Sequence, residues 1–294
     1  MSVAVLFPGQ GSQAVGMGRA LYEAHPEVAV LFEYAETATG FPLRQYMFEG
    51  PPEVLQKTSV TQPALYLHGY AVAQVRRIEA QAAAGHSLGE FTALAVAGVF
   101  SFEEGLELVK VRAQGMQRAC DEHPSAMAAI IGLEDEVVEA LCREVASVGL
   151  VVPANYNSPG QLVVSGETTA VEALIDRAKK AGAKLAKKLP VNGAFHSPLM
   201  ESARSELAKA IAATPFHRPR VPVYSNVTAQ PETDPEKIKD LLVQQLTSSV
   251  RWAHTLRQMW ADGIRTFYEL GPGNVLAGLV RRTLPEATVA SYES

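Results

Sequence analysis

Cysteine is scarce in this chain. Its 294 residues include two, Cys120 and Cys142, too few for a disulfide framework and in keeping with a reducing compartment. Long apolar runs are missing as well: no stretch approaches the roughly 20 apolar residues of a membrane span. The opening run, Met1 to Phe7, has no basic leader, and Pro8-Gly9 close it before it reaches the length of a signal-peptide core. Nor is there an excess of positive charge. Lys and Arg number 26 against 31 Asp and Glu, a net charge of −5, so no general attraction to nucleic acid is expected. These absences predict a cytoplasmic protein with no membrane or nucleic-acid partner. A monomer is the default expectation.

Apolar residues, by contrast, make up 47% of the chain, enough for one large domain, or one large and one small, with a sizeable core. Val3–Phe7 reads as a buried strand, continuously apolar as in parallel sheets. A Gly-rich turn and a helical stretch to about Ala24 follow. Helical patterns fill Val28 to Ile78, broken at Gly40-Phe41-Pro42 and Pro51-Pro52. Ser101-Phe102-Glu103-Glu104 is a capping box that predicts a helix from Phe102 to about Cys120.

The rhythm then changes. Strands are expected at Met127–Leu133, Leu150–Tyr156, Leu162–Ser165 and Lys184–Leu189, with helices at Glu134–Ala146 and Thr168–Ala181. That order is β-α-β-β-α-β, the ferredoxin-like split pattern. It predicts a small domain, residues 125–190, inserted into a larger α/β domain formed by 1–124 and 191–294. The larger unit resumes with a helix capped by Ser197 and opened by Pro198. Further strands are expected at Val221–Ser225 and Thr266–Glu269, and helices around Glu236–Leu246, Ala253–Ala261 and Val275–Thr283.

The strongest chemical signal is Gly85-His86-Ser87-Leu88-Gly89, set between a short apolar stretch and the helix-forming Glu90–Val96. It is a G-x-S-x-G pattern in strand-turn-helix context. The glycines allow a tight turn that lifts the Ser87 hydroxyl clear of the sheet, and the next helix start aims backbone N–H groups at an oxyanion formed there. The competing reading is a small-residue turn that serves strand–helix packing.

A serine nucleophile needs a base. Of seven histidines, His25, His68, His123, His217 and His254 have no special context. His196 lies directly before the Ser197-Pro198 helix start, where the positive end of the dipole favours a neutral ring; a plain capping role is the alternative. Arg112 is the second informative residue. Its helical neighbours are Gly105, Leu108, Val109, Gly115, Met116 and Ala119, so its guanidinium sits on a small, apolar face. A buried arginine requires an anion, either an internal carboxylate or that of a substrate.

Gly9-Gln10-Gly11-Ser12-Gln13-Ala14 fits the dinucleotide fingerprint G-x-G-x-x-A after a strand, with Glu33 as a candidate ribose acid. A nicotinamide-dependent oxidoreductase is therefore a rival. Gly16 and Gly18 would interrupt the phosphate-binding helix, and the residues from Glu23 to Glu36 read better as helix. The turn has another use: backbone N–H groups near Gln10 facing the Ser87 elbow as half of an oxyanion hole. No metal is expected, since Cys120-Asp121-Glu122-His123 lacks a second pair of ligands. Lys179, Lys180, Lys184, Lys187 and Lys188 form a basic run, with Arg281 and Arg282 later; they are a solvated face, or a patch for an acidic carrier or a nucleotide phosphate.

Six segments, taken in order, carry a resemblance that spans essentially the whole chain. They are Phe7–Gln13, Gly85–Glu90, Arg112, Asn155–Gln161, Phe195–Met200 and Glu269–Gly273. Together they are similar to malonyl-CoA:acyl-carrier-protein transacylases. The resemblance implies a large α/β-hydrolase-like domain, its sheet mainly parallel, with an inserted ferredoxin-like domain. It implies Ser87 as nucleophile, His196 as base, the backbone N–H groups of Gln10 and Leu88 as oxyanion hole, and Arg112 on the malonyl carboxylate. It further implies that the Gln245 main-chain carbonyl orients His196 in place of an acid, and that Phe195 crowds the malonyl α-carbon. The implied reaction is ping-pong: malonyl-CoA is the substrate, no cofactor is bound, and the partner is an acyl carrier protein bearing the phosphopantetheine thiol, of fatty-acid or polyketide synthesis. A discrete trans-acting polyketide acyltransferase and a carboxylesterase or thioesterase are the other readings. One departure stands out. Arg77 to Ala84 runs straight into Gly85 where relatives carry a Gly/Pro-containing loop, leaving an alanine-rich strand of poor β propensity whose local stability is in question.

Overall fold

Strand β1 (Ser2–Phe7) runs through the protein interior, and its side chains divide between two cores. Val5 and Phe7 join one apolar cluster while Ala4 and Leu6 join another, the alternation that a strand imposes on its neighbours. This computed structural model describes residues 2–191 and 193–294. After β1 come α1 (Arg19–Ala24), α2 (Pro26–Thr39), α3 (Leu43–Phe48), α4 (Pro52–Leu55) and α5 (Thr58–Arg76). Strand β2 (Ala82–Gly85) then turns into α6 (Leu88–Ala97), and α7 (Phe102–Glu122) follows.

A second unit of secondary structure comprises β3 (Ser125–Ile131), α8 (Asp135–Glu144), β4 (Val151–Ser158), β5 (Gln161–Glu167), α9 (Thr168–Lys180) and β6 (Leu185–Lys188). A 3₁₀ turn at Pro198–Met200 leads into α10 (Glu201–Ala213), then β7 (Val223–Tyr224), β8 (Pro231–Glu232) and α11 (Pro235–Gln244). Beyond a 3₁₀ turn at Gln245–Thr247 lie α12 (Trp252–Ala261), β9 (Ile264–Leu270), α13 (Val275–Thr283) and β10 (Thr288–Tyr292).

The large sheet has the order β10-β9-β1-β2-β7-β8, all parallel pairs except β7 with β8. The small sheet, β4-β5-β3-β6, is antiparallel and has the strand order of a ferredoxin-like unit. A bridge between Asn155 and Val250 ties the two halves at the main chain. Tyr156 N–H donates to Val250 O at 2.9 Å and Val250 N–H to Ala154 O at 2.8 Å.

Several expectations need correction. The helix expected up to Ala24 begins only at Arg19, because Gly16 and Gly18 take left-handed backbone. Val28–Phe32 is helical within α2, so the β-α-β unit of a dinucleotide fold is not formed. The alanine-rich β2 forms despite its poor β propensity. It pairs with β1 on one side and β7 on the other, and all four residues are buried. Ala83 and Ala82/Ala84 contribute to opposite cores, so tertiary packing overrides intrinsic propensity. The edge strands β8 and β10 carry no periodic signal, being short or half-exposed.

Small residues at the elbow answer to steric need. A Cβ on Gly85 would lie 1.9 Å from Gly89 C and O, and one on Gly89 would lie 2.0 Å from Phe7 O. Both clashes are with main chain, which cannot swing aside. Gly89→Ala is therefore expected to cost more than about 3 kcal/mol of folding stability, measured as a drop in the urea midpoint. An unchanged midpoint would show that β1 and α6 are not locked together here.

Candidate active site

Ser87 sits between β2 and α6 with φ 53° and ψ −109°, a strained conformation for a non-glycine residue that surrounding contacts must enforce. Asn226, which follows β7, supplies part of that enforcement. Its Oδ1 accepts from Ser87 N–H at 2.8 Å and its Nδ2 donates to Gly85 O at 2.7 Å. One fully buried amide thus brackets the turn. Sequence reasoning missed it, since nothing near Ser225-Asn226 marks it.

The predicted partners converge. Ser87 Oγ lies 2.7 Å from His196 Nε2 and 3.0 Å from Arg112 Nη2. His196 Nδ1 lies 2.8 Å from the Gln245 carbonyl. A carbonyl only accepts, so Nδ1 carries the proton and Nε2 is left to accept from the serine. Among the described residues no acid completes the set; the tautomer is fixed by main chain. The imidazole is held down to about 3, chiefly by burial and then by the nearby Arg112 cation, against the Gln245 carbonyl, which raises it. From the sequence, the dipole of the adjoining helix is the expected cause. The adjoining helix start is a single 3₁₀ turn, and desolvation is the larger cause.

Arg112 is fully buried on α7. Its Nη1 donates to Gln62 Oε1 at 2.7 Å and its Nη2 to Gln245 Oε1 at 3.1 Å. The guanidinium carbon lies 5.4 Å from the Phe91 ring centroid. Among the described residues no carboxylate comes within 4.0 Å of it, so the internal salt bridge considered from sequence is not formed. The cation is desolvated, held by neutral amides and aimed at the nucleophile.

The first loop approaches the elbow closely: a Cβ on Gly9 would sit 2.4 Å from His86 O. Among the described residues, neither Gln10 N–H nor Leu88 N–H has an acceptor, which leaves two donors beside Ser87. A cavity of about 100 Å³ joins these groups, lined by Gln10, Gln62, Ser87, Leu88, Arg112 and Phe195 among others. Met127 and Asn155 of the small sheet form part of its wall. A larger hollow of about 510 Å³, between α5, α6 and β2, shares none of these residues and contains no nucleophile–base pair. The five lysines, Lys179 to Lys188, are exposed at the end of α9 and along edge strand β6. Directly after β6 the chain reaches Leu189 and Val191, which line the cavity.

Beyond the predicted set, Gln62, Glu90 and the amide of Gln245 join Asn226 around the site. For Gln245 only the carbonyl was expected to matter. Its Nε2 also donates to Ser87 O at 2.9 Å and to Glu90 Oε2 at 2.7 Å. Glu90 ends the elbow motif but carries no role in the sequence reading, and Gln62 is one of several polar residues of α5.

A strained serine on a strand-to-helix elbow, beside a neutral histidine and N–H groups without acceptors, suits an α/β acyltransferase. Comparison with known proteins agrees. Residues 5–294 match the family model described as acyl transferase domain, and the chain belongs to that family. It is 42% identical over 292 residues, 98% of this chain and 94% of the relative, to the malonyl CoA-acyl carrier protein transacylase of Escherichia coli. An acyl carrier protein S-malonyltransferase from Vibrio cholerae superposes with TM-score 0.96 at 43% identity, covering 100% of this chain and 97% of the other. A malonyl-transacylase solved in complex with its type II PKS acyl-carrier protein gives TM-score 0.96 at 40% identity, covering 100% and 96%.

Proposed function

We propose that this protein moves a malonyl group from malonyl-CoA to the phosphopantetheine thiol of an acyl carrier protein, through a malonyl ester on Ser87. The observation that carries this reading is that one hydroxyl lies within hydrogen-bond reach of both a neutral imidazole and a buried guanidinium free of carboxylates. The first serves proton transfer and the second a distal acid.

His196 Nε2 takes the Ser87 proton as Oγ adds to the thioester carbonyl. Gln10 and Leu88 N–H groups receive the oxyanion. The C–S bond breaks, and coenzyme A leaves with the proton returned by His196. The carrier thiol then gives its proton to the same nitrogen and attacks the ester carbonyl, and Ser87 leaves with that proton. Arg112 grips the malonyl carboxylate throughout, and Phe195 crowds the α-carbon. An added methyl group there costs ~1–3 kcal/mol, which gives preference for malonyl rather than exclusion of methylmalonyl. Residues 125–190 act as an inserted domain that walls the cavity, with 1–124 and 191–294 as the catalytic domain. The exposed lysines from Lys179 to Lys188 offer an acidic carrier a docking edge, and the enzyme works as a cytoplasmic monomer.

The test is incubation with malonyl-CoA and measurement of intact mass. A malonyl adduct is expected on the wild type, absent from Ser87→Ala and discharged by a carrier protein faster than by water. A folded wild type that never gains the adduct sinks the proposal; one that releases free malonate as fast with carrier as without is a thioesterase.

A further inference from the structure

Arg112 is a buried cation with no carboxylate beside it, yet one lies a single amide away. Glu90, the third residue of α6, is 4% exposed. Its Oε2 accepts from Gln245 Nε2 at 2.7 Å and from Asn226 N–H at 3.4 Å. Gln245 Oε1 in turn accepts from Arg112 Nη2 at 3.1 Å. The amide can face only one way. Turned over, its NH₂ would meet the guanidinium donors, and its oxygen would meet the Ser87 carbonyl and the carboxylate. The charges of Glu90 and Arg112 therefore fix Gln245 between them, and the same residue presents its main-chain carbonyl to His196.

We propose that Glu90 is a positioning residue and the buried charge partner of Arg112, acting through the Gln245 amide, and that it takes up a proton from water when a substrate carboxylate docks on Arg112. The inference rests on the malonyl reading above. With the cavity empty, one guanidinium and one carboxylate balance. A malonyl anion adds a second negative charge to a desolvated site, which is costly unless one carboxylate is neutralised. Glu90 is suited to that role. Burial already pushes its carboxyl up to about 7, against the Gln245 and Asn226 hydrogen bonds and the Arg112 charge. Its Oε1 has no partner among the described residues, so it can carry the proton while Oε2 keeps its bonds. Burial also lowers Arg112, against the pull of Glu90, to about 9, which lies above the range in which Glu90 titrates. His196 and His86 are kept neutral by burial, and the neighbouring Arg251 is exposed.

The experiment measures KM for malonyl-CoA from pH 6 to 9, with acetyl-CoA as a competing ligand to cancel titration of the coenzyme A phosphates. Above pH 7 the malonyl KM should rise relative to the acetyl Ki, approaching about tenfold per pH unit, as coupled uptake of one proton requires. In Glu90→Gln the relative rise should vanish, whereas a residue that merely packs would leave the pH profile in place. Parallel malonyl and acetyl profiles in the wild type overturn the proposal, as does a rise that persists in folded Glu90→Gln. Should that variant fail to fold, the wild-type comparison decides alone. Absence of any malonyl-enzyme at every pH would instead sink the functional reading.

Discussion

Replacing His196 by alanine should slow malonyl transfer by roughly 10²–10⁴-fold, the range a positioned base contributes. The ring has two fixed partners, Gln245 O at 2.8 Å and Ser87 Oγ at 2.7 Å, and among the described residues no other base stands within reach of that hydroxyl. The wild-type pH profile carries a second expectation. Burial holds the imidazole down to about 3, so the base is already unprotonated throughout pH 5–8. At saturating substrate, kcat should show no histidine limb near 6.5. A base with an ordinary imidazole pKa would lose tenfold per unit below that point, and such a limb would contradict the burial argument. Stability responds with a definite sign. Between 6.5 and about 3 only the unfolded chain takes this proton, so this group's contribution is full above 6.5 and is lost as the solution is acidified.

Arg112→Ala should separate two substrates. Hydrogen bonds to a charged group are worth about 1.5–3 kcal/mol each, so loss of a bidentate grip lowers malonyl transfer by ~10²–10⁴-fold. Acetyl transfer should fall by no more than roughly 10–150-fold, through the single contact of Nη2 with Ser87 Oγ at 3.0 Å. Arg112→Lys keeps the charge but not the fork and should rescue only part of the malonyl rate. The readout is kcat/KM for malonyl-CoA and acetyl-CoA on the same preparations. Equal losses would remove Arg112 from substrate recognition and leave it a structural cation.

Much of this site was legible because its strongest elements are local. The elbow needs glycines at fixed offsets from Ser87, and the Ser101–Glu104 capping box forms as written. Arg112 stood out by breaking an apolar helix face, and it is indeed buried. The ferredoxin-like order was readable because each of its strands carries its own apolar rhythm. What escaped was non-local. Gln62, Asn226 and the Gln245 amide are ordinary polar residues whose roles arise from neighbours 50 to 158 residues away. The pairing of β2 was hidden for a related reason: an alanine run says little about a strand flanked by β1, β7 and α6.

The Asn226 bracket has a temporal consequence. As the chain leaves the ribosome, Ser87 appears long before the amide that holds its backbone in shape, and before the imidazole and the carbonyl that would arm it. A nascent or prematurely ended polypeptide thus exposes an inert alcohol. It cannot capture and squander thioesters while the remainder is being made.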